Sequence, residues 1–107
     1  MILSTAPDLE VARKIARSLL SMRLAACVNL LPGVESIYCW QGGIESGNEV
    51  MLVIKTELRK EKATLAALLE MHPYETPEGL VLPVAGGLQK YLDWIGESLR
   101  EDCDRLG

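Results

Sequence analysis

Three stretches of this 107-residue chain that read as β-strands do not alternate between apolar and polar residues. Val50-Met51-Leu52-Val53-Ile54 is apolar at every position, and so is Leu80-Val81-Leu82. Leu24-Ala25-Ala26-Cys27-Val28 likewise carries no strongly polar side chain. Successive side chains of a strand point to opposite faces of the sheet. An antiparallel sheet with one wet face should therefore alternate. These strands demand cover on both faces, and that demand limits what the chain can build.

The segments around them set the order of elements. Met1 to Ala6 reads as a strand closed by Pro7. A helix is expected from about Asp8, a good N-cap type, to Met22, with Ala12, Ile15, Ala16, Leu19 and Leu20 at helical spacing. Leu24 to Leu31 is a strand interrupted at Pro32-Gly33, resuming at Val34 and reaching Trp40. Gln41-Gly42-Gly43 through Ser46-Gly47-Asn48 is turn chemistry. Glu49 to Thr56 is the return strand of a hairpin. A second helix covers about Leu58 to Met71, with Leu58, Leu65, Ala66 and Leu69 expected inward. Gly79 to Val84 reads as a strand, and Gly86-Gly87 breaks the chain. A last helix carries Leu88, Tyr91, Leu92, Ile95 and Leu99 on one face, and the polar end from Glu101 onward is expected to fray.

The order βαββαβ plus a terminal helix is the split-βαβ, or ferredoxin-like, arrangement of the α+β class, in one domain spanning 1–107. Both crossover helices pack on one face of a four-stranded antiparallel sheet. The second face must then meet the terminal helix or another copy of the chain, which points to a homo-oligomer.

Composition removes several classes of function. The chain is 49% apolar and 24% charged, which is globular rather than disordered. Net charge is −4, and the largest basic cluster, Arg59-Lys60-Glu61-Lys62, is broken by an acid. Nucleic-acid binding is disfavoured, because phosphate contacts need clustered cations. No apolar run approaches the roughly 18 residues of a membrane span. Met1-Ile2-Leu3-Ser4-Thr5 lacks a basic n-region and a cleavage site, so no signal peptide is expected. Cys27, Cys39 and Cys103 are odd in number and match no Cys-x-x-Cys spacing. They read as reduced thiols of a cytoplasmic protein.

One loop concentrates chemistry. His72-Pro73-Tyr74-Glu75-Thr76-Pro77-Glu78 holds the single histidine of the chain. Its two prolines bias the segment toward extended or turn geometry. An imidazole, a phenol and two carboxylates thus sit on a stiff loop beside structured elements, where function concentrates. The plain alternative is a helix stop with solvated carboxylates.

Taken together, several stretches resemble the CutA family, the divalent-cation tolerance proteins. They are Leu24-Ala25-Ala26-Cys27-Val28-Asn29, Pro32-Gly33 leading to Ser36-Ile37-Tyr38-Cys39-Trp40, Ile54-Lys55-Thr56, His72-Pro73-Tyr74-Glu75 with Pro77-Glu78, and Tyr91-Leu92-Asp93-Trp94. They fall in the family's order and span the chain from about Ser4 to Leu99. The resemblance implies a ferredoxin-like fold assembled as a tight homotrimer, and an association with copper and other divalent metals. One departure is Cys39, where the family often has an aromatic. Cys39 lies on the opposite strand face from Tyr38 and Trp40, so the departure touches only local packing.

A thiolate, an imidazole and a carboxylate suit a soft or borderline transition metal such as copper or zinc. Cys27, His72 and Glu75 are the expected metal ligands, with Tyr38, Trp40, Lys55 and Tyr74 lining an interface or pocket. The donors are distant in sequence and must be brought together by the fold or by neighbouring subunits. Three are too few for a closed structural zinc site, so the site would be open. No cofactor is required. Under the plain alternative, Cys27 is core, His72 bonds a helix-end carbonyl, Glu75 pairs with Lys55, and the aromatics only pack an interface.

Two other classes compete. A small-molecule sensor of the nitrogen-regulatory PII type would use Lys55, Tyr74 and Glu75 around a cleft between subunits, but neither Gly42-Gly43 nor Gly86-Gly87 fits a phosphate-binding loop. An enzyme would use His72 and Glu75 as general acid and base with Cys27 as nucleophile. The acylphosphatase type of that fold needs an arginine cradle near the N-terminus that has no counterpart here, and no enzymatic activity is expected.

Overall fold

A computed structural model describes residues 1–100; the expected fraying end and Cys103 lie outside the described residues. The element order is β1 (Ile2–Ala6), α1 (Leu9–Ser21), β2 (Cys27–Trp40), β3 (Gly43–Lys55), α2 (Leu58–Met71), β4 (Leu80–Val81) and α3 (Gln89–Ser98). The four strands form one sheet in the order β2-β3-β1-β4, every pair antiparallel. This is the ferredoxin-like βαββαβ topology with an added C-terminal helix.

Register decides which side chains face the helices. Ile2 lies opposite Ile54, Ser4 opposite Leu52 and Ala6 opposite Val50, and all six are buried. The five apolar ones pack with Ala12, Ile15 and Leu19 of α1 and Leu68 of α2 in one core. Each fully buried aliphatic side chain there contributes about 1.5–3 kcal/mol. Asp8 caps α1 as expected, accepting from the Val11 N–H at 2.8 Å. The other sheet face carries Leu3, Met51, Val53 and Lys55, all half-buried in the single chain.

Four expectations need correction. The turn is far shorter than the sequence suggested. It is two residues, Gln41 and Gly42, with Trp40 paired to Gly43. Both turn residues have positive φ, 49° and 81°, the twist that matches a right-handed hairpin. Ser46-Gly47-Asn48 is strand, because cross-strand pairing to Glu35, Ser36 and Ile37 satisfies its backbone. Pro32-Gly33 does not interrupt β2. The register shifts between Leu31 and Val34, and Gly33 takes φ 77°, so the pair forms a bulge within one long strand.

The inward face of α2 also differs. Glu61, Thr64 and Leu68 are buried, whereas Leu58 and Leu69 are 84% and 63% exposed and Ala66 is exposed. Polar partners rotate this helix. The Thr64 hydroxyl donates to the carbonyl of Leu24 at 2.9 Å, which ties the helix to the chain entering β2. Finally, β4 is two residues long and does not extend over Gly79 to Val84. It pairs only with Ile2 and Leu3.

Candidate functional site

Helix α2 ends at Met71 because Pro73 excludes helical geometry from His72, which is extended at φ −80° and ψ 138°. The His72 N–H still closes the last turn on the carbonyl of Leu68 at 3.0 Å. This exit swings the imidazole onto β1, where it is buried. Its Nδ1 accepts from the Tyr74 N–H at 3.1 Å, which places the ring proton on Nε2. Nε2 then donates to the carbonyl of Thr5 at 2.6 Å. Both ring nitrogens are committed inside the chain.

The rest of the loop is pinned in the same manner. The Tyr74 hydroxyl donates to Glu49 Oε2 at 3.1 Å, and its ring lies 4.7 Å from that of His72. Partial burial, then the hydrogen bond to the Glu49 carboxylate and its charge, push the Tyr74 phenol up to about 12. The Ser4 hydroxyl donates to the carbonyl of Glu78 at 2.8 Å, holding the far end of the loop to β1. The chemistry-rich loop is thus fastened to β1 at both ends and to β3 in the middle. Glu75 is left exposed at its crest.

Cys27 begins β2 as a half-buried free thiol, opposite Lys55 on the face away from α1 and α2. Among the described residues, no group of three His, Cys, Asp or Glu side chains lies close enough to hold a metal ion. Cys27, His72 and Glu75 therefore form no three-donor cluster within one chain. His72 can ligate only by giving up the bond from Tyr74 or the bond to Thr5. The same commitment bars it from acting as a general base without rearrangement.

The pocket residues divide. Tyr74 is occupied by Glu49 within the chain. Tyr38 and Trp40 are 50% and 61% exposed on the hairpin formed by the far halves of β2 and β3. That hairpin pairs only with itself beyond Val50. Ile37 and Ile44 are exposed on it at 66% and 83%. Lys55 lies under α3, its ammonium 5.5 Å from the centroid of the Tyr91 ring, which stacks in turn on Trp94. Sequence reasoning missed Glu49, the acceptor for Tyr74, because a residue opening an expected strand carries no signal of a loop partner. It also missed Thr56 and Tyr91 beside Lys55; the adjacency of Lys55 and Thr56 to a helix rich in aromatics was the available clue.

Comparison with known proteins places these features in context. The family model described as CutA1 divalent ion tolerance protein matches residues 1–98. A divalent-cation tolerance protein CutA from Pectobacterium atrosepticum is 52% identical over 100 residues, covering 94% of this chain and 91% of that protein. The crystal structure of CutA from Xylella fastidiosa superposes with a TM-score of 0.89 at 46% identity, covering 92% of this chain and 94% of that one. A periplasmic divalent cation tolerance protein CutA from Archaeoglobus fulgidus gives 0.88 at 41% identity, with coverage of 92% and 95%.

Proposed function

The chain belongs to the CutA1 divalent ion tolerance family, and from that premise we propose that it acts as a homotrimer in the response to divalent cations, binding copper or a similar transition metal at an open site. The observation that carries the assembly is the surface of the single chain. Its accessible area is 7386 Å², against about 5,900 Å² for a compact monomer of this mass. Its radius of gyration is 14.6 Å, against about 13 Å expected. On the hairpin arm and the uncovered sheet face large apolar side chains stand in water: Ile37, Tyr38, Trp40, Ile44 and Leu80. Apolar surface of this extent marks an interaction site.

The metal reading rests on ligand chemistry. Cys27 offers a soft sulfur donor on the sheet face that assembly would cover, and Glu75 offers an exposed carboxylate. With no three-donor cluster among the described residues of one chain, the site takes ligands from more than one copy, with water completing it. His72 joins by exchanging its bond from Tyr74 for the metal. The free thiols Cys27 and Cys39 suit a reducing, cytoplasmic setting. No helix among the described residues is long and apolar enough to cross a membrane.

The test is copper affinity measured by chelator competition on the assembled protein. The Cys27→Ala, His72→Ala double variant should lose at least tenfold in affinity. Unchanged affinity in a variant that keeps its assembly would overturn the assignment of the ligands.

A further inference from the structure

An open groove of about 1190 Å³ lies between α1 and α2, lined by the side of α1 that does not enter the core. Its apolar lining is Ala67 and Met71, half-buried against the core, and Met22, which is 47% exposed. The α1 wall carries Arg13, Lys14 and Arg17, all exposed. None of these three side chains enters an ion pair or a hydrogen bond among the described residues. Arg13 and Arg17 stand four residues apart and Lys14 and Arg17 three apart, so they are neighbours on one helix surface and repel. The helix dipole would favour cations in the last turn, and α1 has none there. The stability of α1 therefore does not explain this row. It is a local positive strip on a chain of net charge −4.

We propose that this groove docks an acidic amphipathic helix of a partner protein, its apolar stripe on Met22, Ala67 and Met71 and its carboxylates along Arg13, Lys14 and Arg17. An apolar helix face laid between two helices is a recurring mode of recognition. Methionine thioethers suit it, because they adapt to the shape of the guest. The lining from Glu10 to Met22 spans about 18 Å, the length of about twelve helical residues. Guanidinium groups pair with carboxylates by two parallel hydrogen bonds, which fixes the side on which the partner's acids must lie. Glu10 and Glu70 also line the groove. They disfavour a phosphate backbone, which would bring negative charge to both walls, and the concave shape disfavours a flat lipid surface. The groove lies on the opposite side of the sheet from Cys27 and from the face that assembly would cover, so it is independent of the metal reading.

The probe is a fluorescein-labelled helical peptide of about 14 residues, with leucines at i, i+3, i+4 and i+7 and glutamates along one flank. Its binding to the assembled protein is followed by anisotropy and amide resonances. The peptide should saturate at one per chain, lose affinity as salt rises, and shift amides of α1 and of the C-terminal half of α2. The same peptide with lysine for each glutamate should bind at least tenfold more weakly, and so should one with serine for each leucine. The Arg13→Gln, Arg17→Gln double variant, at exposed positions, should lose at least tenfold in affinity for the glutamate peptide. Met22→Ser should weaken binding without changing its salt dependence. Absence of saturable binding would overturn the proposal, as would equal affinity for the lysine peptide or in the double arginine variant. Shifts confined to the hairpin arm or the far sheet face would do the same. Sedimentation with phosphatidylglycerol vesicles, abolished in the double arginine variant and without peptide binding, would replace the partner helix with a lipid surface.

Discussion

Val53 is the position at which burial of the second sheet face is most open to test. It sits in β3 opposite Leu3 of β1 and opposite Asn29 of β2, on the face turned away from α1 and α2. In the single chain it is only half-buried, so an aspartate there should leave the individual fold intact. In a homotrimer that covers this face, Val53→Asp buries an unpaired carboxylate in every subunit. Such a group costs several kcal/mol. At about 3 kcal/mol per copy the trimer loses about 9 kcal/mol, more than six orders of magnitude in its association constant. Light scattering coupled to size-exclusion chromatography should find monomer or aggregate. Val53→Thr, and Lys14→Asp on the exposed side of α1, should remain assembled. Protonating the introduced carboxylate removes its charge, so assembly of the Val53→Asp variant should recover in part as the pH falls toward about 4. A soluble trimer of unchanged stability at neutral pH would refute the claim that this face is buried.

Three further outcomes follow from the described contacts. His72→Ala removes the donor to the Thr5 carbonyl and the acceptor for the Tyr74 N–H. It should cost about 2–4 kcal/mol in chemical unfolding, since buried backbone groups lose their partners. Leu52→Ala, at a fully buried core position, should cost about 2–5 kcal/mol by the same assay. The Tyr74 phenol has a folded pKa of about 12 against an ordinary 10. Its contribution to stability is fully present below pH 10 and is lost as the pH rises through 12, because the unfolded chain ionises first. Alkaline unfolding curves of wild type and Tyr74→Phe should therefore converge across that window. Parallel curves would show that the bond to Glu49 does not set the titration.

Much of this fold is written in periodicity, and the departures have identifiable causes. The α1 stripe of Ala12, Ile15, Ala16 and Leu19 is read correctly because it is apolar throughout. The α2 face is misread because its inward positions include Glu61 and Thr64, whose burial depends on distant partners that periodicity does not see. The hairpin is misread because Gly47 and Asn48 look like a turn, while Gln41, a residue seldom chosen for positive φ, makes the real one with Gly42. The two-faced apolar pattern of β3 did predict a sheet whose far side stays incompletely covered in one chain.

The loop at residues 72–78 is the more instructive case. Sequence identifies it as special because an imidazole, a phenol and carboxylates are held between prolines. The contacts assign the imidazole and the phenol to fastening the loop, His72 to Thr5 and Tyr74 to Glu49, while Ser4 holds the backbone carbonyl of Glu78. Glu75 is left exposed. Composition cannot distinguish a side chain that waits for a ligand from one that has committed its hydrogen bonds to the backbone. That distinction requires the position of Thr5, 67 residues away in the chain.

The central claim is that this chain functions as a trimer carrying an open transition-metal site. Native mass spectrometry of the untagged protein, before and after sub-stoichiometric copper, tests both parts at once. The account predicts a trimer that gains discrete copper increments and loses them to a chelator. A monomer, or a trimer that takes up no copper at any ratio, would contradict it.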